Sequence, residues 1–182
     1  MTHQPNPRKF ILYIAMSLDG FIATKDDDLT FLNVVEKEGE DYGYTAFYES
    51  VDTVILGRRT YEKVISMGFK PHEDKETWII TQRPEPDKGR HHFYTGNLKG
   101  LVHKLREEEG KYVFVDGGAY VAQAFLNENL LDEIIVSIIP VLLGDGISLF
   151  GNENKGLKLQ LLETKSFEKG LVQLHYRVDQ KL

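Results

Sequence analysis

The chain of 182 residues contains no cysteine. Its absence excludes disulfides, thiolate metal sites and cysteine nucleophiles, and it fits a reducing compartment. Positive charge is in short supply as well: Lys+Arg 22 stand against Asp+Glu 28, a formal net charge of -6. That is the wrong sign for a chain whose main partner is a nucleic-acid backbone or an anionic membrane, so neither partner is expected. Long apolar runs are missing too. The start, MTHQPNPRKF, has no apolar core behind its basic end, and the greasiest run, residues 134–143, contains Ser137 and Pro140 and is too short to span a bilayer. The expectation is a cytoplasmic protein of one domain, residues 8–182, behind a loose polar arm, residues 1–7.

What is present is best read from residues 111–126, KYVFVDGGAYVAQAFL. Tyr112 to Val115 is a β-branched and aromatic run, Gly117 and Gly118 are free to take positive φ, and Val121, Ala122, Phe125 and Leu126 recur at helical spacing. A strand that ends in glycines and hands over directly to a helix leaves unpaired N–H groups where a phosphate can bind. The same glycine pair also suits an ordinary strand-to-helix turn.

Along the rest of the chain, residues 10–16 form a nearly continuous apolar run, the mark of a strand buried on both faces and central in its sheet. A helix is expected from Asp41, with Asp41, Tyr44 and Tyr48 on one face. Strands are expected at residues 53–56, 77–80, 92–94 and 134–139, and helices after Gly57 and over the stripe Leu98, Leu101, Val102, Leu105. The C-terminus alternates at period two and reads as a hairpin turned at Lys169 and Gly170. Strands alternating with helices before a final hairpin imply an α/β fold with a mostly parallel, helix-covered sheet and an antiparallel edge. Ligands of such sheets bind at the carboxyl ends of the strands, here Gly57 to Thr60, Thr81 to Arg83 and Gly117 to Val121.

Two glycine motifs are lookalikes. Residues 151–156 have P-loop spacing but continue into Leu157 and Lys158, and the run beginning Gly144, Asp145, Gly146 fails as GxGxxG at Leu149. Adjacent His91 and His92 point to opposite faces of a strand, so no metal site is expected. The basic cluster carries more information. Arg58 and Arg59 follow Gly57 at a helix start, where dipole, free N–H groups and guanidinium forks converge on an anion, and Arg83 follows another strand. Pairing with surface carboxylates is the other use such arginines have.

The runs AMSLDGFIA (residues 15–23), VILGRRTYE (54–62), VDGG (115–118) and LLDEIIVSIIPVLLGDG (130–146) resemble the dihydrofolate reductase fold. They are most similar to stand-alone relatives of the reductase domain of bacterial riboflavin biosynthesis. The resemblance implies NADPH as cofactor. On it, Gly57, Arg58, Arg59 and Thr60 hold the adenosine-side phosphates, Thr81, Gln82 and Arg83 lie near the ribose 2′-phosphate, Gly117, Gly118, Ala119 and Tyr120 bind the pyrophosphate, and Val115 belongs to the same cofactor-side set. Ala15, Ile22 and Val121 then flank the nicotinamide.

The family's acid on the first helix falls on Asp41 and its substrate-side hydroxyl on Ser137, with Tyr44 and Asp19 beside the substrate. The only tryptophan, Trp78, is not in the loop where dihydrofolate reductases carry one, and the SLDG and GDG turns match the riboflavin-type relatives instead. The implied activity is hydride transfer to a small heterocycle, a pterin or a riboflavin-pathway-like pyrimidine, by a homodimer. A non-catalytic nucleotide-binding protein of the same fold is the alternative. Asp41 equally suits a helix cap.

Overall fold

A computed structural model describes residues 8–151 and 156–181. The expected N-terminal arm, residues 1–7, and residues 152–155 of the P-loop lookalike lie outside the described residues. An eight-stranded sheet runs through the protein in the order β5-β4-β3-β6-β1-β7-β10-β9. It is formed by β1 (Phe10–Ser17), β3 (Val51–Gly57), β4 (Glu76–Ile80), β5 (His91–Tyr94), β6 (Tyr112–Gly117), β7 (Glu133–Ile139), β9 (Leu157–Ser166) and β10 (Val172–Lys181). A small ribbon pairs β2 (Phe21–Ala23) with β8 (Ile147–Ser148).

β1 is apolar on both faces because it is central. It pairs in parallel with β6 and β7, Leu12 lying opposite Val115 on one side and Ile134 on the other. β3, β4 and β5 continue the parallel order, whereas β10 and β9 complete the far edge as an antiparallel hairpin. This is the mixed architecture that the alternation of strands and helices implies.

Among the described residues four α-helices cover the sheet: α1 (Tyr44–Glu49), α2 (Arg58–Ser66), α3 (Leu98–Glu107) and α4 (Ala119–Asn127). On one face Phe10, Leu12, Ile55, Val113 and Val115 pack against the buried stripes of α3 and α4, including Leu101, Leu105, Val121 and Phe125. On the other, Ile11, Val54 and Phe114 meet Phe47 of α1, while Leu56 and Ile79 meet Tyr61 of α2. The helix expected from Asp41 begins three residues later, at Tyr44. A 3-10 helix at Thr30–Val35, which short polar and apolar stretches did not signal, closes a separate cluster with Ile139 and Leu171.

Arg8, 5% exposed, clamps the start of β1. Its Nε donates to the Lys111 carbonyl at 2.8 Å, and its Nη2 reaches both Thr53 Oγ1, at 2.7 Å, and the Asp52 carboxylate. A concavity of about 600 Å³ beside it, at the amino ends of the strands, is lined by Arg8, Asp52, Glu76, Arg90 and His92. These charges are already paired with one another, so this larger cavity is a network of ion pairs and not a ligand site.

Candidate active site

The carboxyl ends of β3 and β6 meet at a corner built from glycine. A Cβ on Gly57 would stand 3.2 Å from Val121 Cγ2, so a larger residue here would push β3 and α4 apart by a few tenths of an ångström. Gly117 has φ of 96°, outside the range comfortable for other residues, and is joined to Gly118 by a cis peptide bond. Gly118 N–H donates to Thr60 Oγ1 at 2.9 Å, which ties the start of α4 to the first turn of α2. Neither helix has a side-chain N-cap. Two helix N-termini are therefore held side by side with their first-turn N–H groups uncapped, the arrangement that receives phosphates.

The expected arginines divide. Arg58 pairs with two carboxylates, its Nε donating to Glu62 at 2.7 Å and its Nη2 meeting Glu85, while its Nη1 is buried with no hydrogen-bond partner among the described residues. Arg59 and Arg83 are exposed and have no side-chain hydrogen bond or ion pair among the described residues. Thr81 Oγ1 accepts from Arg83 N–H at 3.0 Å, a turn that carries Gln82 and Arg83 out beyond the end of β4. Ala119 and Tyr120 open α4, with Tyr120 75% exposed, whereas Val115 and Val121 are sealed in the core and support the glycine corner from below. Ala15 and Ile22 are half-buried near the carboxyl end of β1.

On the α1 face, next to this corner, lies a cavity of about 560 Å³ lined by Tyr44, Tyr48, Pro71, His72, Asp74 and Asp116. Tyr44 stacks on Tyr48 with ring centroids 5.6 Å apart and meets Tyr13 edge-on. Burial, reinforced by the nearby Asp116 charge, pushes the Tyr44 phenol up to about 12, so it stays a neutral donor. Burial, followed by the hydrogen bond to Asp74 and nearby negative charge, pushes Tyr48 upward in the same way.

The other expected substrate residues make the following contacts in the structure. Asp41 is exposed and accepts from Gly43 N–H at 2.8 Å and Thr45 N–H at 3.0 Å. The Thr45 hydroxyl and these backbone donors hold its carboxyl below the usual range, which favours the charged, capping form and disfavours proton donation at neutral pH. Asp19 accepts from Ser17 Oγ at 2.6 Å and from Leu143 and Gly144 N–H, stapling the turn after β1 to the GDG loop. Ser137 is enclosed, accepting from Gln173 Nε2 at 3.1 Å in a network that Gln173 extends to the Tyr13 hydroxyl.

Three cavity residues escaped sequence reasoning. Asp116 follows the apolar run of β6 directly before the glycine pair, a carboxylate where the run calls for an apolar side chain, and that mismatch was the available signal. His72 and Asp74 lie in the irregular connection to β4, where no periodicity exists to orient a side chain. Gln173 sits on the polar side of the β10 alternation, a side that turns out to face buried hydroxyls instead of water.

The chain is 43% identical over 172 residues to the uncharacterized protein YwjB of Bacillus subtilis (strain 168), a match covering 93% of this chain and 97% of that one. Among solved structures, one of a Shewanella sp. PV-4 protein assigned to riboflavin biosynthesis superposes with a TM-score of 0.86 at 29% identity, over 94% of this chain and 99% of the other. Dihydrofolate reductase from Enterococcus faecalis, complexed with NADP(H), shares the fold at a TM-score of 0.67 and 18% identity, over 94% of this chain and 97% of that one. The family model described as RibD C-terminal domain matches residues 62–173, a span that includes the Thr81–Arg83 turn, the glycine pair and β7. With its dihydrofolate reductase-like sheet and its glycine corner between two uncapped helices, the chain belongs to the RibD C-terminal domain family.

Proposed function

We propose that the protein is an NADPH-dependent reductase of a small planar heterocycle, a pterin or a pyrimidine of the riboflavin-pathway kind. One observation carries this reading: the Thr60–Gly118 hydrogen bond places two uncapped helix N-termini together, directly beside an aromatic cavity that holds a carboxylate. The residues fit the cofactor. Gly57, Thr60, Gly117, Gly118 and Ala119 would hold the phosphates of the dinucleotide, and unpaired Arg59 and Arg83 suit the additional 2′-phosphate through always-charged guanidinium forks. Bound there, the reduced nicotinamide supplies a hydride.

The chain's own residues orient and enclose the acceptor. Tyr44 and Tyr48 offer a stacked aromatic wall for a planar ring, and Tyr44 remains a neutral hydrogen-bond donor. Asp116 is 27% exposed and provides an acceptor for ring N–H groups in the same cavity. Positioning and electrostatics are the protein's contribution. We further propose a homodimer, supported by the long β9 edge, whose Leu161 and Leu162 are about half exposed.

The test is consumption of NADPH with a panel of reducible heterocycles: dihydrofolate, a ribitylamino pyrimidine and simple quinones. Turnover of a pterin or pyrimidine supports the reading. NADPH binding with no turnover of any heterocycle favours the non-catalytic nucleotide-binding alternative, and absence of NADPH binding removes both.

A further inference from the structure

A continuous hydrogen-bonded chain runs from the surface to the glycine pair. Tyr48 O–H donates to Asp74 Oδ1 at 2.7 Å, the Tyr48 oxygen lies 3.1 Å from His72 Nδ1, and His72 Nε2 lies 3.4 Å from Asp116 Oδ2. The imidazole is 13% exposed, stacked on Tyr48 at 5.5 Å and edge-on to Phe114 at 5.9 Å. His72 has φ of 49°, a left-handed conformation that side chains seldom adopt outside turns and functional sites. Its carbonyl accepts from Lys75 N–H at 3.0 Å, which fixes the turn that points the ring into the cavity. The charged and titratable groups around it are Tyr44 and Tyr48 from α1, Asp116 from β6, and Lys70, Glu73, Asp74 and Lys75 from its own loop.

The positions of the protons follow from counting donors. Tyr48 has one hydrogen, and the ionised Asp74 carboxylate takes it at the shorter distance. The Tyr48 oxygen is then an acceptor, so the proton on His72 must include Nδ1–H. With Nδ1 occupied, a hydrogen bond between Nε2 and Asp116 requires one further proton between them. A bare imidazole lone pair facing a carboxylate is repulsive.

We propose that His72 and Asp116 hold one exchangeable proton between them in the α1 cavity, that Tyr48 and Asp74 set the imidazole so that Nε2 shares it, and that this pair protonates the heterocycle. The proposal rests on the reductase reading given above. The balance is simple. As a C=N bond of the heterocycle is reduced, its carbon takes a hydride with its electron pair, supplied by the reduced nicotinamide dinucleotide, and its nitrogen takes the proton of the pair. An N–H bond forms in the product, and the N–H or O–H bond of the pair breaks. This leaves an Asp116 carboxylate beside a neutral imidazole that keeps Nδ1–H, and water restores the shared proton. His72 is a positioning residue that acts through Asp116, which lines the cavity.

The first test needs neither cofactor nor turnover. Long-range proton–nitrogen correlation spectra of the full, isotope-labelled chain at neutral pH report the protonation of each imidazole nitrogen, with the His72 signals identified by their loss in His72→Gln. The expected result is a protonated Nδ1, together with a second proton seen either on Nε2 or, by its carbon shift, on the Asp116 carboxyl. Asp116→Asn should remove that second proton and keep Nδ1–H. An unprotonated Nδ1 in the wild type, or the same two protons in Asp116→Asn, overturns the proposal. The second test follows turnover of a heterocycle that the wild type reduces. His72→Gln and Asp116→Asn should each lower kcat by about 100-fold or more, while NADPH affinity stays within about twofold. Wild-type kcat in His72→Gln overturns the proton-donor role. If the wild type reduces no heterocycle, the reductase reading fails while the nitrogen shifts still decide how the proton is held.

Discussion

Asp41 shows what a carboxylate does when both of its oxygens are occupied by the backbone. The capping account predicts that Asp41→Asn, which keeps an acceptor for Gly43 and Thr45, leaves turnover within a few-fold of wild type. Asp41→Ala should lower Tm by about 2–4 °C, the effect of losing the carboxylate that ties Gly43 and Thr45 N–H at the entry to α1. A drop of about 100-fold in kcat for Asp41→Asn would instead assign it the acid role.

Glu133 makes a second residue-scale prediction. Burial pushes its carboxyl up from 4.5, but hydrogen bonds from Lys9 Nζ at 2.6 Å and His175 Nε2 at 2.8 Å outweigh burial and hold it lower. A folded value below the unfolded one means that this contribution to stability is complete above the ordinary carboxyl range and is lost as pH falls through the folded value. Glu133→Gln should cost about 2 kcal/mol near neutral pH and flatten the loss of stability in acid, both readable by urea titration at a series of pH values. Neither partnership was legible from sequence. Glu133 lies 124 residues from Lys9, and no local pattern reports a contact that only the β1–β7 register creates.

At the scale of elements, sequence was informative wherever periodicity was strong. The β6 run and the α3 stripe appear within a few residues of their expected bounds, and the period-two C-terminus forms the hairpin strand β10, turned at Lys169 and Gly170. Irregular stretches were opaque: Thr30–Val35 and the loop carrying His72 have no repeating pattern. The glycine corner was legible because paired glycine between a strand and a helix has a backbone cause. The link between its two halves was not, since Thr60 and Gly118 are 58 residues apart. Thr60→Val tests that link. It removes the acceptor for Gly118 N–H and should weaken NADPH binding about tenfold with the fold intact, as judged by circular dichroism and nicotinamide fluorescence. Unchanged affinity would mean that α4 is held in place without this bond.

For the whole molecule, the sheet order sets where an acidic chain would receive the anionic groups of the proposed dinucleotide. Among the described residues, Arg59 and Arg83 have no ion pair and stand where the parallel strands β3 and β4 end. The opposite edge, β9, presents Leu161 and Leu162 to solvent. The proposed homodimer predicts a sedimenting species of twice 20.9 kDa at micromolar concentration, reverting toward monomer in Leu161→Lys; a species of 20.9 kDa alone would count against it. The central claim is tested most directly by titrating the protein with NADPH and with NADH and following nicotinamide fluorescence. The account predicts NADPH binding at least about tenfold tighter, with the preference lost in the double variant Arg59→Ala, Arg83→Ala. Equal affinity for the two dinucleotides, or binding of neither, would contradict it.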